Sequence, residues 1–315
     1  AGEDLQSLEM NALDTPKVLL CRRCDGSVRR FLSVPYDRSG GKYPLPAKVL
    51  YRTKDNKIHE QNLNTQLTVL TRNFPTQRIT MKSSTASTMN RTKTLHAEKL
   101  YVQSKLQSSA PKPLWKGNWI IPVKGQSTSS YGRKRYVNGK WWGQHSGADI
   151  RAATGTPVHA SNSGRVVLSE YLPALRGNCI IIDHGCNIFS VYMHLSKRLV
   201  KVGDVIKKNQ LIGKVGHTGF VTGPHLHWTI RVGWEACDPF RLAKRGWAGE
   251  GPGGACGWKA GHVRPRCRTA GRVPALSGLA VARLGLSGPG RSPGHRADHR
   301  AFLAGGGGGP AKVRS

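Results

Sequence analysis

Between Trp115 and Leu242 the chain is a succession of short apolar runs, and this limits it to a β fold. Gly164-Arg-Val-Val-Leu168, Cys179-Ile-Ile-Ile182, Phe189-Ser-Val-Tyr192 and Leu226-His-Trp-Thr-Ile-Arg-Val232 are each followed by a Gly-containing turn. No ten-residue helical period interrupts the series. Several short strands at this spacing specify an all-β domain, expected over residues 115–242.

The flanking regions read differently. Residues 1–30 show no clear periodicity and are expected to be irregular. Residues 31–82 read as short strands punctuated by Gly40-Gly41, Pro44, Pro46, Asp55-Asn56 and Pro75, hence a small β-rich accessory module of immunoglobulin-like kind. Within 83–114, Leu95, Leu100, Val102 and Leu106 fall partly in helical register, predicting a helix over 92–106. Ser108-Ser109-Ala110-Pro111-Lys112-Pro113 reads as a linker. Residues 243–315 are rich in Gly and Arg and contain no Ile, Tyr, Asn, Gln or Met. Such a segment cannot bury enough apolar surface to offset its ordering entropy, so it is expected to be disordered, or to be the product of a shifted reading frame. The expected class is therefore mainly β, with a basic disordered C-terminal tail.

With 315 residues the chain has room for about two domains. Lys and Arg number 49 against 17 Asp and Glu, a formal net charge of +32. No apolar run approaches the ~18–20 residues that span a bilayer, so no transmembrane helix is expected. The opening Ala1-Gly2-Glu3 has no basic segment followed by an apolar stretch, so the sequence as written shows no signal peptide. Seven cysteines are an odd number, which excludes a complete disulfide framework. Cys21 and Cys24 form a C-x-x-C that suggests half a zinc ribbon or a redox pair, without a second pair at ribbon spacing. Cys179 and Cys186 flank a predicted hairpin and read as buried thiols, with a disulfide between them as the alternative.

The polar residues able to do chemistry cluster in the β domain. His145 and Asp149 lie four apart with Gly147 between them. His225 and His227 lie two apart, which on a strand points both to one face. His194 ends another predicted strand. Two His and one carboxylate are the ligand types of a catalytic zinc with an open fourth position, and further His beside it can carry protons. Spacing alone leaves open which His of the H-x-H pair would bind metal. His159, His184 and His217 read as turn or core residues.

His145-x-x-x-Asp149, Met193-His194-Leu195 and Gly223-Pro224-His225-Leu226-His227-Trp228 resemble the motifs of the lysostaphin-type zinc metallopeptidases, which cut peptide bonds in bacterial cell wall. The resemblance extends through Gly155-Thr156-Pro157-Val158, Val202-Gly203-Asp204 and Asp238-Pro239. It implies a groove over an antiparallel sheet, walled by loops at about 120–144 and 169–178. It also implies one zinc per chain on His145, Asp149 and His227, with His225 as general base and His194 stabilising the tetrahedral intermediate. The implied partner is peptidoglycan, in a secreted or cell-envelope (periplasmic) setting; the sequence leaves the oligomeric state open, with a monomer expected. Whether residues 31–82 bind wall or block the groove is left open.

Two other classes compete. A non-enzymatic wall-binding or activator protein could carry the same domain, but every ligand type is retained here. The charge alone would suit a nucleic-acid binder, yet bacterial walls are also polyanionic and the β domain has no reader motif, so no specific nucleic acid is expected. Val202 to Gly213 resembles the flattened barrel of biotinyl and lipoyl carriers in strand geometry only. His59-Glu60 starts a helical zinc-protease motif, but position 63 is Leu.

Overall fold

The computed structural model describes residues 4–10, 21–22, 28–53, 55–80, 92–245, 275–276 and 280–283. The N-terminal third contributes β1 (Asp4–Met10), β2 (Cys21–Arg22), β3 (Val28–Leu32), β4 (Gly41–Arg52), β5 (Ile58–Leu70), β6 (Thr76–Ile79) and helix α1 (Thr92–Lys105). The larger β region follows. It comprises β7 (Gln126–Ser129), β8 (Lys134–Val137), β9 (Lys140–Gln144), β10 (Ala148–Arg151), β11 (Pro157–His159), β12 (Gly164–Leu172), β13 (Gly177–Asp183) and β14 (Ile188–Arg198). It continues with β15 (Val205–Ile206), β16 (Leu211–Val215), β17 (His225–Val232), β18 (Glu235–Cys237) and helix α2 (Pro239–Arg245). Then come the short strands β19 (Ala275–Leu276) and β20 (Ala280–Arg283).

The fold is mainly β. Its central antiparallel sheet has the order β15-β12-β13-β14-β17-β10-β7, with β16 also on β14 and β18 also on β17. The run Cys179-Ile-Ile-Ile182 does not alternate with polar residues because both faces of β13 are covered. Ile180 and Ile182 join Tyr192, Leu226, Trp228 and Ile230 in the larger core. Cys179 and Ile181 point the other way, onto Val102 and Leu106 of the α1 region together with Phe189 and Val191. The buried stripe of α1 therefore includes Glu98, Val102 and Leu106, while Leu100, expected on that stripe, is exposed.

The accessory strands form two small sheets, β1-β4-β5-β19 and β2-β3-β20. Leu32 and Val34 on one side meet Leu45, Ala47, Val49, Leu63, Leu67 and Val69 on the other. Segment 1–30, expected to be irregular, carries β1 and β2. A bulge between Leu5 and Ser7 sets Leu5, Leu8 and Met10 opposite Tyr51, Val49 and Ala47. The inserted residue breaks the two-residue period, so the strand has no alternating signature in sequence.

Contacts cross both expected domain borders. β6 pairs in parallel with β8, the first strand of the β8–β9 hairpin. Phe31 packs edge-on to Trp115 with ring centroids 5.7 Å apart. The expected linker is packed: Ala110 accepts a hydrogen bond from the Cys186 amide and donates its own to Asp183. Cys179 and Cys237 are free and buried, whereas Cys186, expected to be a thiol, is disulfide-bonded, so the two do not pair with each other. Of the tail expected to lack structure, residues 243–245 close helix α2 and six more form β19 and β20. The rest of that expectation, and the Cys24 side of the C-x-x-C, lie outside the described residues.

Candidate metal centre

The register of two strands assembles the site. β10 runs antiparallel to β17 with Asp149 opposite His227 and Arg151 opposite His225. Ile150, Leu226 and Trp228 point into the core, so alternation sends Asp149, Arg151, His225 and His227 to the groove. β14 places Met193 beside His227, and His194 follows with φ of 64°, a left-handed backbone uncommon for a non-glycine residue. Its amide donates to the Arg176 carbonyl at 3.0 Å. His145 precedes β10 and is tied through its backbone to Gly132 and Arg133. Gly147 lies so close to β17 that a Cβ would sit 2.4 Å from Thr229 Oγ1 and from the Trp228 carbonyl. The bend between His145 and Asp149 therefore requires glycine.

His145 Nε2, Asp149 Oδ1 and His227 Nδ1 converge to 2.9, 2.9 and 2.8 Å from one another, all buried. The opposite ring nitrogens explain the donor set. His145 Nδ1 lies 2.9 Å from the Ser130 carbonyl, which can only accept, so Nδ1 carries the hydrogen and Nε2 presents a lone pair. His227 Nε2 is 2.9 Å from Thr229 Oγ1, leaving Nδ1 toward the triangle. Two imidazole lone pairs and a carboxylate oxygen facing one another in a buried space repel unless a cation joins them. An outer hydrogen bond that sets the tautomer is the usual support of a metal-ligating His. Tetrahedral zinc bonds of ~2.0–2.1 Å need donor separations of roughly 3.3 Å, an opening of a few tenths of an ångström. The residues fit a zinc ion.

The two remaining histidines share one arrangement. His194 Nδ1 lies 2.9 Å from the Thr218 carbonyl and His225 Nδ1 2.8 Å from that of Gly223, so both present Nε2 to the groove. Their rings are 4.9 Å apart, and His225 Nε2 is 3.7 Å from Asp149 Oδ1. Burial, reinforced by the neighbouring His227 and His225, pushes His194 down to about 3. Burial likewise pushes His227 down to about 4.

Partners without a sequence signal complete the site. Arg135 Nη2 donates to Asp149 Oδ2 at 2.6 Å, and its Nε donates to Gln77 Oε1 of the accessory strand β6 at 3.2 Å. Gln77 and Ile79 line a groove of about 850 Å³ with residues of 128–153, Leu175, Arg176, Met193, His194 and 220–227. The groove lining thus includes parts of both expected wall loops, joined by the 220–225 turn and by β6. Glu98 accepts hydrogen bonds from the amides of Ala174, Leu175 and Arg176 and from Arg176 Nη1 at 2.7 Å. A lone Glu on the apolar stripe of α1 was its only trace in sequence. His184 is a buried core residue, bonded to the Ser163 carbonyl and Ser190 Oγ, and burial pushes it down to about 4.

A buried His-Asp-His donor triangle in a groove over an antiparallel sheet, flanked by two histidines with free Nε2, is a centre of metallopeptidase type. Residues 143–239 match Peptidase family M23, so this part of the chain carries a domain of that family. The chain is 46% identical over 88 residues to the peptidoglycan DD-endopeptidase ShyA of Vibrio cholerae, covering 28% of this chain and 20% of ShyA. It is 39% identical over 141 residues to lysostaphin of Staphylococcus simulans, covering 41% of this chain and 28% of lysostaphin. Among solved structures, the catalytic domain of S. simulans lysostaphin aligns with 37% identity and a TM-score of 0.35, covering 38% of this chain and 92% of that one. The chain spans about a quarter of the length of the curated relatives it matches.

Proposed function

We propose that this chain is a zinc-dependent endopeptidase that hydrolyses peptide cross-links or stem peptides of bacterial peptidoglycan and acts at the cell envelope. The observation that carries the proposal is the convergence of two imidazole nitrogens and a carboxylate oxygen whose outer atoms are already hydrogen-bonded. Similarity to a peptidoglycan DD-endopeptidase and to lysostaphin supports the substrate. The high positive charge suits an anionic polymer.

His145, Asp149 and His227 would hold the ion. Bound there, zinc polarises a carbonyl and lowers the pKa of water to about 7. His225, with Nδ1–H given to Gly223, takes the proton of the attacking water on Nε2 and returns it to the leaving amine. His194 is anchored by Thr218 and faces His225. Its Nε2 opens to the same groove, where it would help to stabilise the tetrahedral intermediate. Arg135 fixes the outer oxygen of Asp149, so the carboxylate keeps Oδ1 on the triangle.

Digestion of purified peptidoglycan with and without chelator, read by mass spectrometry of the fragments, tests the proposal. Release of new amino termini that chelator abolishes is expected. His227→Ala should lose bound zinc and activity together. His225→Ala should keep zinc and lose about 10²-fold or more in turnover. Wall hydrolysis by His225→Ala at the parent rate refutes the role of that residue.

A further inference from the structure

We propose that Arg151 selects the substrate of this groove by binding a free carboxylate on the peptide beside the bond that is cut; this rests on the endopeptidase function proposed above. Three guanidinium groups line the groove: Arg135, Arg151 and Arg176. Two are neutralised, Arg135 on Asp149 at 2.6 Å and Arg176 on Glu98 at 2.7 Å. Arg151 is exposed and has no carboxylate or hydrogen-bond partner among the described residues.

Its position follows from register. Arg151 shares the groove face with Asp149, two residues away on β10, and stands directly opposite His225 on β17 and Gln126 on β7. Directly opposed side chains on an antiparallel pair start ~4.5–5.5 Å apart at Cβ, and one rung along a strand is roughly 6.7 Å. The guanidinium thus emerges beside the candidate proton carrier, one rung from the candidate metal ligands. An extended peptide rises ~3.3–3.6 Å per residue, so Arg151 meets the residue flanking the scissile amide. β10 lies between β17 and β7, so Arg151 projects from the floor of the groove rather than from an edge of the sheet. A planar five-donor cation with its partners unfilled is matched by a carboxylate, which it can bind through two parallel hydrogen bonds. The substrate class that fits is a cross-linked stem peptide whose flanking residue carries a free carboxylate, as a diamino diacid does. Oligoglycine, with no charge on its residues, gives Arg151 nothing to bind.

The test uses the full zinc-loaded chain and four synthetic peptides. One has a free carboxylate on the residue flanking the scissile amide. The second has the same group as a carboxamide, the third has only its terminal carboxylate amidated, and the fourth is oligoglycine. The parent should cut the first with kcat/KM about 10–100-fold above the second, the scale of a charged hydrogen-bonded pair. Arg151→Gln should lower the first to the level of the second, mainly through KM, and leave the second unchanged. A loss specific to the third peptide would mean the carboxylate is terminal and would overturn the side-group assignment. Equal cleavage of the first two peptides by the parent overturns the proposal whether or not the variant folds. Failure of the parent to cut any peptide overturns the endopeptidase function itself.

Discussion

Replacing Glu98 by Ala should cost far more than its position on a helix suggests. The side chains of Glu98 and Arg176 are 5% and 9% exposed, and their charged atoms are 2.7 Å apart. Removing the carboxylate leaves a guanidinium buried without its counter-charge, which typically costs about 3–5 kcal/mol. It also strips an acceptor from the amides of Ala174, Leu175 and Arg176. Arg176 Nε is already buried without a partner, so the site has little reserve. Part of the loss is recoverable if Arg176 swings into the groove it lines, so the expected figure is about 3 kcal/mol, against a typical total of roughly 5–15. Urea titrations at fixed zinc, extrapolated linearly, measure it. Glu98→Gln keeps one of the two acceptor oxygens and should lose less. Glu98→Ala with Arg176→Met removes both charges and should be more stable than Glu98→Ala alone. Activity should fall as well, because the Arg176 carbonyl holds the His194 amide and the Leu175 carbonyl holds that of Phe220. A Glu98→Ala loss under about 1 kcal/mol, or a double variant no better than the single, refutes the reasoning.

The remaining predictions concern pH, charge and close packing. His184 is pushed down to about 4 by burial, so the unfolded chain takes up a proton below its ordinary value of 6.5 that the folded chain refuses. Its contribution is full above pH 6.5 and is lost as pH falls toward 4, by about 3 kcal/mol. The urea midpoint should fall with pH more steeply for the parent than for His184→Gln, and equal slopes would refute this. Arg135→Ala should lower the melting temperature more in chelator than in zinc, because without the ion Asp149 depends on the guanidinium 2.6 Å away for its counter-charge. Equal shifts in both conditions would show that the pair does not neutralise Asp149. Gly147→Ala should destabilise the chain and lower zinc affinity together, measured by melting and by chelator competition. Its Cβ would meet the Trp228 carbonyl, which β-pairing holds in place.

Much of the site was legible because strand chemistry is local. A residue two positions from another on a strand shares its face, so His225 and His227 could be placed side by side from sequence. The short apolar runs announced β12, β13, β14 and β17, and the motifs pointed to the ligand types. What sequence could not carry was pairing between distant segments. Arg135 is one basic residue among many until the β8–β9 hairpin brings it to Asp149. The bulge in β1 hid a strand by breaking its period, and Leu100, read in the apolar register of the helix, is exposed.

The amino-acid sequence by itself determined a β domain that carries imidazoles and a carboxylate, since alternation and residue type are encoded within a few positions. Only the tertiary structure decided which nitrogen of each ring faces inward and which cations are neutralised. It alone also showed that the accessory strand β6 reaches the groove. Those outcomes depend on carbonyls and charges contributed from tens of residues away, and no local pattern records such distances.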